Sequence, residues 1–202
     1  MKKNDIILGT IILTATTTII RVVGMAFRIY IANILGAEGI GLYQLILSIY
    51  FLMVTLATSG IRLAVSRLIS EELALGNYSN AKKVLSQSVV LSFFTGSLSA
   101  FILFYFADYI GINILKDDRT VLSLMYLAPS LPFIAVSSCY KGYFFALRKV
   151  VRPSIVQITE QLVRIFVVLS IMNIFLPQGL EYGCAAIAIG MTIEEIFSLF
   201  LT

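Results

Sequence analysis

Histidine is absent from this chain of 202 residues, cysteine occurs only twice, and charged residues make up just 13% of it. Each shortage removes a class of chemistry. Cys139 and Cys184 stand singly, without CxxC spacing and without histidines to complete a ligand set, so packing is expected of them and no metal site is expected. Soluble domains carry roughly 25% charged and 45 to 50% apolar residues, whereas 59% of this chain is apolar. Such a composition belongs in lipid.

Long apolar runs are what the chain has instead. Six of them, Ile6 to Leu35, Leu42 to Leu68, Val84 to Ile110, Val121 to Leu147, Ser154 to Leu176 and Cys184 to Leu201, each approach or exceed the roughly 20 residues that cross a hydrocarbon core. They are too long for barrel strands of about 10 residues, so the expected fold is all-α, a polytopic membrane protein of six transmembrane helices forming a single lobe over residues 1–202. The first run is too long for a cleavable signal and is expected to remain as a helix.

Orientation follows from the basic residues between the runs. Lys2, Lys3, Arg62, Arg67, Lys82, Lys83, Lys141, Arg148, Lys149 and Arg152 fall at the amino end or after the second and fourth runs, and only Lys116 and Arg119 fall on the other side. Both chain ends are therefore expected in the cytoplasm, with Glu38, Asp108, Asp117, Asp118 and Glu181 outside. The formal charge of +4 is topological, and nucleic acid is not an expected partner.

Three arginines remain inside the apolar runs: Arg21, Arg28 and Arg164. A guanidinium at the bilayer centre costs about 2.5 to 3.5 kcal/mol on insertion scales, so such residues face a bundle interior or a wet cavity. At a rise of 1.5 Å per residue Arg21 lies roughly 22 Å along the first helix and Arg28 roughly 33 Å, where Arg28 can also snorkel to the outer interface. Along that helix Thr10, Thr14, Thr17, Arg21, Gly24 and Arg28 recur every three or four residues, which keeps them on one face. Similar stripes run through Gln44, Ser48, Thr55, Ser59 and Arg62, and through Ser154, Gln157, Gln161 and Arg164. Convergence on one interior is the functional reading; close helix packing by small residues is the alternative.

Glu160 and Arg164 stand at i and i+4, where opposite charges meet on a helix, either as a structural pair or as a switch in which an anion takes Arg164 and frees Glu160 for a proton. Glu194 and Glu195 lie deep in the sixth run, and because adjacent positions point about 100° apart, only one of them is expected at a given site. Gly60, Pro129 and Pro132 interrupt helices and are the candidate hinges of an alternating-access motion. Gly36, Gly39 and Gly41 predict a tight outer hairpin, with no strand before it to support a dinucleotide loop. Glu71 to Lys83 reads as a short surface helix whose lysines touch anionic lipid.

The order of several short runs resembles a known family. Ile20-Arg21-Val22-Val23-Gly24, Ala32-Asn33-Ile34-Leu35-Gly36-Ala37-Glu38-Gly39-Ile40-Gly41-Leu42-Tyr43, Ser66-Arg67-Leu68 before Gly76-Asn77 and Ala81-Lys82-Lys83, Tyr140-Lys141-Gly142-Tyr143-Phe144, and Arg152-Pro153 with Gln157 to Arg164 cover nearly the whole chain. Together they resemble polysaccharide-export flippases of the multidrug/oligosaccharidyl-lipid/polysaccharide superfamily, above all the stage V sporulation protein B branch. The resemblance implies a flippase of lipid-linked saccharides in the bacterial cytoplasmic membrane, working in cell-wall or spore-cortex synthesis. Two six-helix lobes rock about a cavity whose basic residues hold the pyrophosphate of an undecaprenyl-linked sugar or peptidoglycan precursor.

Carried onto this sequence, the cavity set is Arg21, Arg28, Arg62, Arg164, Glu160, Gln157 and Gln161, with Glu160 and Glu194 as candidate coupling groups. Arg21 falls where relatives that move peptidoglycan precursor carry a first-helix arginine; the second arginine, Arg28, comes one residue later than theirs. No cofactor is implied, and coupling falls to Na⁺, H⁺ or the membrane potential. The expected partners are the lipid-linked saccharide, membrane lipids and a second transporter lobe, since one six-helix lobe ending at Thr202 without a basic flank reads as an amino-terminal half. The alternatives are a multidrug or cation antiporter of the same superfamily, against which the first helix offers no acidic residue after Asp5, and a half-protein that assembles with another membrane subunit without itself transporting. A membrane enzyme acting on lipid-linked sugars would need the histidine, DxD-type cluster or extended catalytic loop that this sequence lacks, so no enzymatic activity is expected.

Overall fold

In lipid the backbone must satisfy its own hydrogen bonds, and this chain does so with helices. The computed structural model describes residues 3–58, 60–149 and 151–201, and among them there is no strand. Lys2 and Ser59, used above in the charge tally and the second stripe, lie outside the described residues.

Helix α1 spans Lys3–Thr58, and its 56 residues would extend roughly 84 Å if straight, about twice the thickness of a bilayer with its headgroups. It is not straight. Gly36 adopts φ 69° and ψ −175°, a region open essentially to glycine alone, and divides the helix into two arms. Residues Phe27, Arg28 and Ile31 of the first arm line one cavity together with Tyr43 and Leu47 of the second. In a straight helix Arg28 and Leu47 would lie roughly 28 Å apart, so the chain folds back at Gly36. The expected hairpin is therefore a single-residue elbow, with Gly39 and Gly41 inside the helix that follows.

The second apolar run is not one helix. It ends at Thr58 and resumes as α2, Ile61–Ala74, after Gly60 in the left-handed conformation at φ 73°. No separate surface helix covers residues 71–83: α2 turns through Gly76 directly into α3, Tyr78–Tyr105, with Lys82 and Lys83 exposed near its start. Exposed Phe101, Phe104, Tyr105, Phe106 and Tyr109 cluster at the far end of α3, with Phe101 stacked on Tyr105 at 5.9 Å. Tyr105 and Tyr109 have the amphipathic rings that sit well at a membrane interface.

Beyond α4, Ala107–Tyr109, and one π turn at Ile110–Ile114, the chain enters a loop fixed by Arg119. Arg119 donates to Asp117 through Nε and Nη2, at 3.0 and 2.8 Å, and reaches back through Nη1 to Glu38 beside the elbow at 2.7 Å. Helices α5, Thr120–Leu127, and α6, Ser130–Ala146, meet at a 43° bend beside Pro129. Pro129 supplies no N–H, and Pro132 falls in the first turn of α6, where that loss is tolerated. Helix α7, Val151–Phe175, and α8, Leu180–Leu201, complete the bundle around a core that includes Ile46, Leu103, Leu124, Leu131, Val168 and Ile187.

Four stretches are long and apolar enough to cross a membrane, the bent α5–α6 pair makes a fifth, and the elbow at Gly36 divides the first of the four. The protein is a multi-pass membrane protein. Cys139 and Cys184 are both buried, in the minor and major apolar cores respectively.

Two outcomes test this packing. A Cβ on Gly142 would lie 2.7 Å from the carbonyl oxygen of Arg62, so Gly142→Ala should push α6 off the start of α2 and destabilise the protein by about 1 to 3 kcal/mol, read as a lower unfolding midpoint in detergent. Hydrogen bonds from Arg119 hold the Asp117 carboxyl below its ordinary value of 3.8. The resulting stabilisation is present above that value and is lost as pH falls through the depressed one; in acid thermal scans Asp117→Asn should remove this component.

Candidate functional site

The first helix stripe and the α7 stripe meet. Thr17 and Arg21 from the first arm of α1, Gln157, Glu160, Gln161 and Arg164 from α7, and Glu194 from α8 line one cavity of about 360 Å³. The two helices come close at Gly24, where a Cβ would stand in ordinary contact, 3.7 Å, with Nε2 of Gln161. One turn further along, Arg28 lines an adjoining cavity of about 140 Å³, again with Gln161 and Arg164. A third space of about 180 Å³ is bounded by Tyr43, Tyr50, Arg164, Glu194 and Glu195. Arg164 lines all three, so this chamber is a set of neighbouring spaces that meet at one residue.

Arg62 does not join this group. It lines a separate cavity of about 290 Å³ with Thr58, Gly60 and Ser138, which adjoins the chamber only through the apolar Val54 and Ile134. The break at Gly60 is the cause, because it turns Arg62 onto a new helix. The stripe of the second apolar run does not line these three spaces: Gln44, Ser48 and Thr55 are exposed, as Arg21 and Arg28 are, the two hydroxyls bond to carbonyls of their own helix, and Tyr43, Leu47 and Tyr50 border the third space instead.

The expected Glu160–Arg164 pair is replaced by partners on other helices. Lys141 of α6 donates to Glu160 at 2.9 Å, and Ser198 of α8 donates to the same carboxylate oxygen. Arg164 donates through Nη2 to Gln161 and places Nε 3.4 Å from Glu194 Oε2, close enough for ion pairing but without hydrogen-bond geometry. Glu160 faces the α6–α8 seam and Arg164 the α1–α8 seam, so each meets a charge across a helix contact before it meets the other. Lys141 is thus an interior residue, its side chain only 14% exposed, and not the loop cation that the charge tally made it. Its position well inside the apolar run 121–147 was the available signal.

Two buried donors in the chamber have no acceptor within the protein: Nε2 of Gln161, a residue only 5% exposed, and Nε of Arg164. Among the described residues neither Arg21 nor Arg28 has an ion-pair partner, whereas Lys141 and Arg164 each face a carboxylate. The chamber therefore offers cationic donors toward its open side.

The family described as polysaccharide biosynthesis protein matches residues 6–202. The chain belongs to that family. It is 35% identical over 202 residues to Stage V sporulation protein B of Bacillus subtilis (strain 168), across 98% of this chain and 38% of that protein. It is also 28% identical over 203 residues to Lipid II flippase MurJ of the same organism, across 93% of this chain and 37% of that one. The chain thus spans less than two fifths of the length of either relative. No solved structure gives a significant match.

Breaking the interior pair provides a test of the chamber wall. Lys141→Met would leave the Glu160 carboxylate without its cation and should destabilise the protein by about 3 to 5 kcal/mol, while Lys141→Met combined with Glu160→Leu should recover most of that loss in detergent unfolding curves.

Proposed function

We propose that this chain forms one six-helix lobe of a flippase for a lipid-linked saccharide, with both of its ends in the cytoplasm, and that its chamber holds the diphosphate of that lipid. One observation carries the reading: Arg21 and Arg28 border neighbouring cavities that share Gln161 and Arg164 as lining, and neither Arg21 nor Arg28 has an acidic partner among the described residues. A diphosphate bridging an isoprenoid and a sugar carries about two negative charges, which Arg21 and Arg28 match, and the planar guanidinium suits its paired oxygens. Gln157 and Gln161 offer neutral hydrogen bonds beside them. The relatives named Stage V sporulation protein B and Lipid II flippase MurJ support a precursor of cell-wall or spore-cortex peptidoglycan as the cargo, and a transporter rather than an enzyme.

Transport on this reading is a shift between inward-open and outward-open populations driven by differential binding. The bend beside Pro129 and the breaks at Gly60 and Gly36 are the sites where helices can change direction. A second lobe closes the open side of the chamber and completes the path. Arg62, in its separate cavity, serves a later or earlier position of the cargo on the cytoplasmic side.

A cation antiporter needs intramembrane carboxylates free to bind its ion. Glu160 and Glu194 each already face a cation, and Glu195, whose Oε2 is unpartnered, borders only the third space, away from Arg21 and Arg28, which favours the anionic cargo at those arginines.

Arg21→Ala should lower flipping of a fluorescent lipid-linked saccharide in reconstituted vesicles by about 30-fold to 100-fold, the equivalent of roughly 2 to 3 kcal/mol for a charged contact, with membrane insertion unchanged. Unaltered flipping in that variant would remove Arg21 from the cargo site.

A further inference from the structure

Arg164 is held between two kinds of partner. On α8 its companion is Glu194, a residue 8% exposed whose Oε2 stands 3.4 Å from Nε without forming a hydrogen bond. On its own helix Nη2 donates to Gln161 Oε1, and the buried Gln161 Nε2 has no acceptor among the described residues. The Nε edge of Arg164 and the amide of Gln161 therefore make a docking edge for one oxyanion, and the nearest group competing for that edge is a carboxylate.

The other charged and titratable groups around Glu194 cannot replace Arg164. Lys141 of α6 is committed to Glu160 at 2.9 Å. Glu160 of α7 and the neighbouring Glu195, whose Oε2 is buried without a partner, add negative charge. Arg21 of α1 borders the same cavity as Glu194 and is engaged by the diphosphate on the reading above, and Tyr43 and Tyr50 of the second arm contribute only phenolic hydroxyls to the adjoining space.

We propose that Arg164 exchanges counter-ions, leaving Glu194 for a phosphate oxygen when anionic cargo binds, and that Glu194 then takes one proton from water. This rests on the diphosphate reading of the chamber and deepens it by assigning the coupling step. An O–H bond forms on the Glu194 carboxylate, no covalent bond forms to the cargo, and the proton returns to water when the anion leaves and Arg164 recovers its carboxylate. A carboxylate as buried as that of Glu194, once deprived of its cation, neutralises in preference to staying charged. Glu194 thereby assumes the role that the sequence assigned to Glu160, because α8 presents the carboxylate that Arg164 actually faces.

The test is calorimetric binding of farnesyl-diphospho-N-acetylglucosamine to the detergent-purified protein between about pH 6 and about pH 9. This diester lacks the phosphate proton that titrates near pH 6 in monoesters. Measured in buffers of different ionisation heat, the wild-type protein should take up close to one proton per ligand over part of that range and lose affinity by about tenfold per pH unit on the alkaline side. Glu194→Gln should bind with little pH dependence and more tightly than wild type at alkaline pH, while Glu195→Gln should keep the wild-type slope. Retained binding with no proton uptake at any pH in that range overturns the exchange and leaves the chamber's anion site standing, as does a slope abolished by Glu195→Gln and kept by Glu194→Gln. Failure of the wild-type protein to bind the diester overturns both readings. Should Glu194→Gln fail to fold, the wild-type proton count decides alone.

Discussion

A guanidinium deep in a bilayer protein must be surrounded by groups that repay its lost hydration, and the seating of Arg164 among α1, α7 and α8 meets that demand. Gln161 and Glu194 lie on two sides of it, and the open cavities lie on the rest. The same demand shapes the neighbouring seam, where Lys141 and Glu160 neutralise each other and Ser198 supplies a further donor. Two charge pairs at two helix contacts therefore fix how α6, α7 and α8 sit together. Apolar packing sets the distances, but it does not specify which face of α7 turns inward.

The stripes of the first and seventh helices were legible because a period of three to four residues places like side chains on one face whatever the neighbours do. Their partners were not legible. An i, i+4 spacing makes Glu160 and Arg164 near neighbours on a surface helix, yet inside a bundle a charge on an adjacent helix can lie nearer still, and nothing local reveals it. Lys141 shows the converse error, since counting basic residues by apolar run treats the end of a helix as a loop when its side chain points inward. The second run was less legible, because its hydroxyls are satisfied on their own backbone and so need no partner on a neighbouring helix.

Breaks were better signalled in position than in kind. Gly36 marked a reversal, but a single residue achieves it where the glycine spacing predicted a longer turn, because ψ near 180° at positive φ redirects the axis at once. Gly60 was read as an interruption and hinge within one span, and its left-handed conformation ends one helix and starts another. That difference decides the fate of Arg62, which a continuous helix would carry along the second stripe and which the break sends to another cavity. The bend at Pro129 was legible in full, since a missing donor and a ring clash act locally.

How that bend can reach the chamber follows from one buried hydrogen bond. Ser130, the first residue of α6 after the bend, pairs with the hydroxyl of Tyr50 at 2.9 Å, and Ser130 also donates to the carbonyl of Leu127 on the other side of it. Tyr50 in turn borders the same space as Arg164, Glu194 and Glu195. A change of angle between α5 and α6 must either break the Tyr50 contact, leaving a buried hydroxyl without its partner, or carry the second arm of α1 with it. The first costs about 1 to 3 kcal/mol. The second arm is itself packed into the apolar core through Ile46, Tyr50 and Met53. Bend, arm and cation site are thus linked through contacts that the fold already contains.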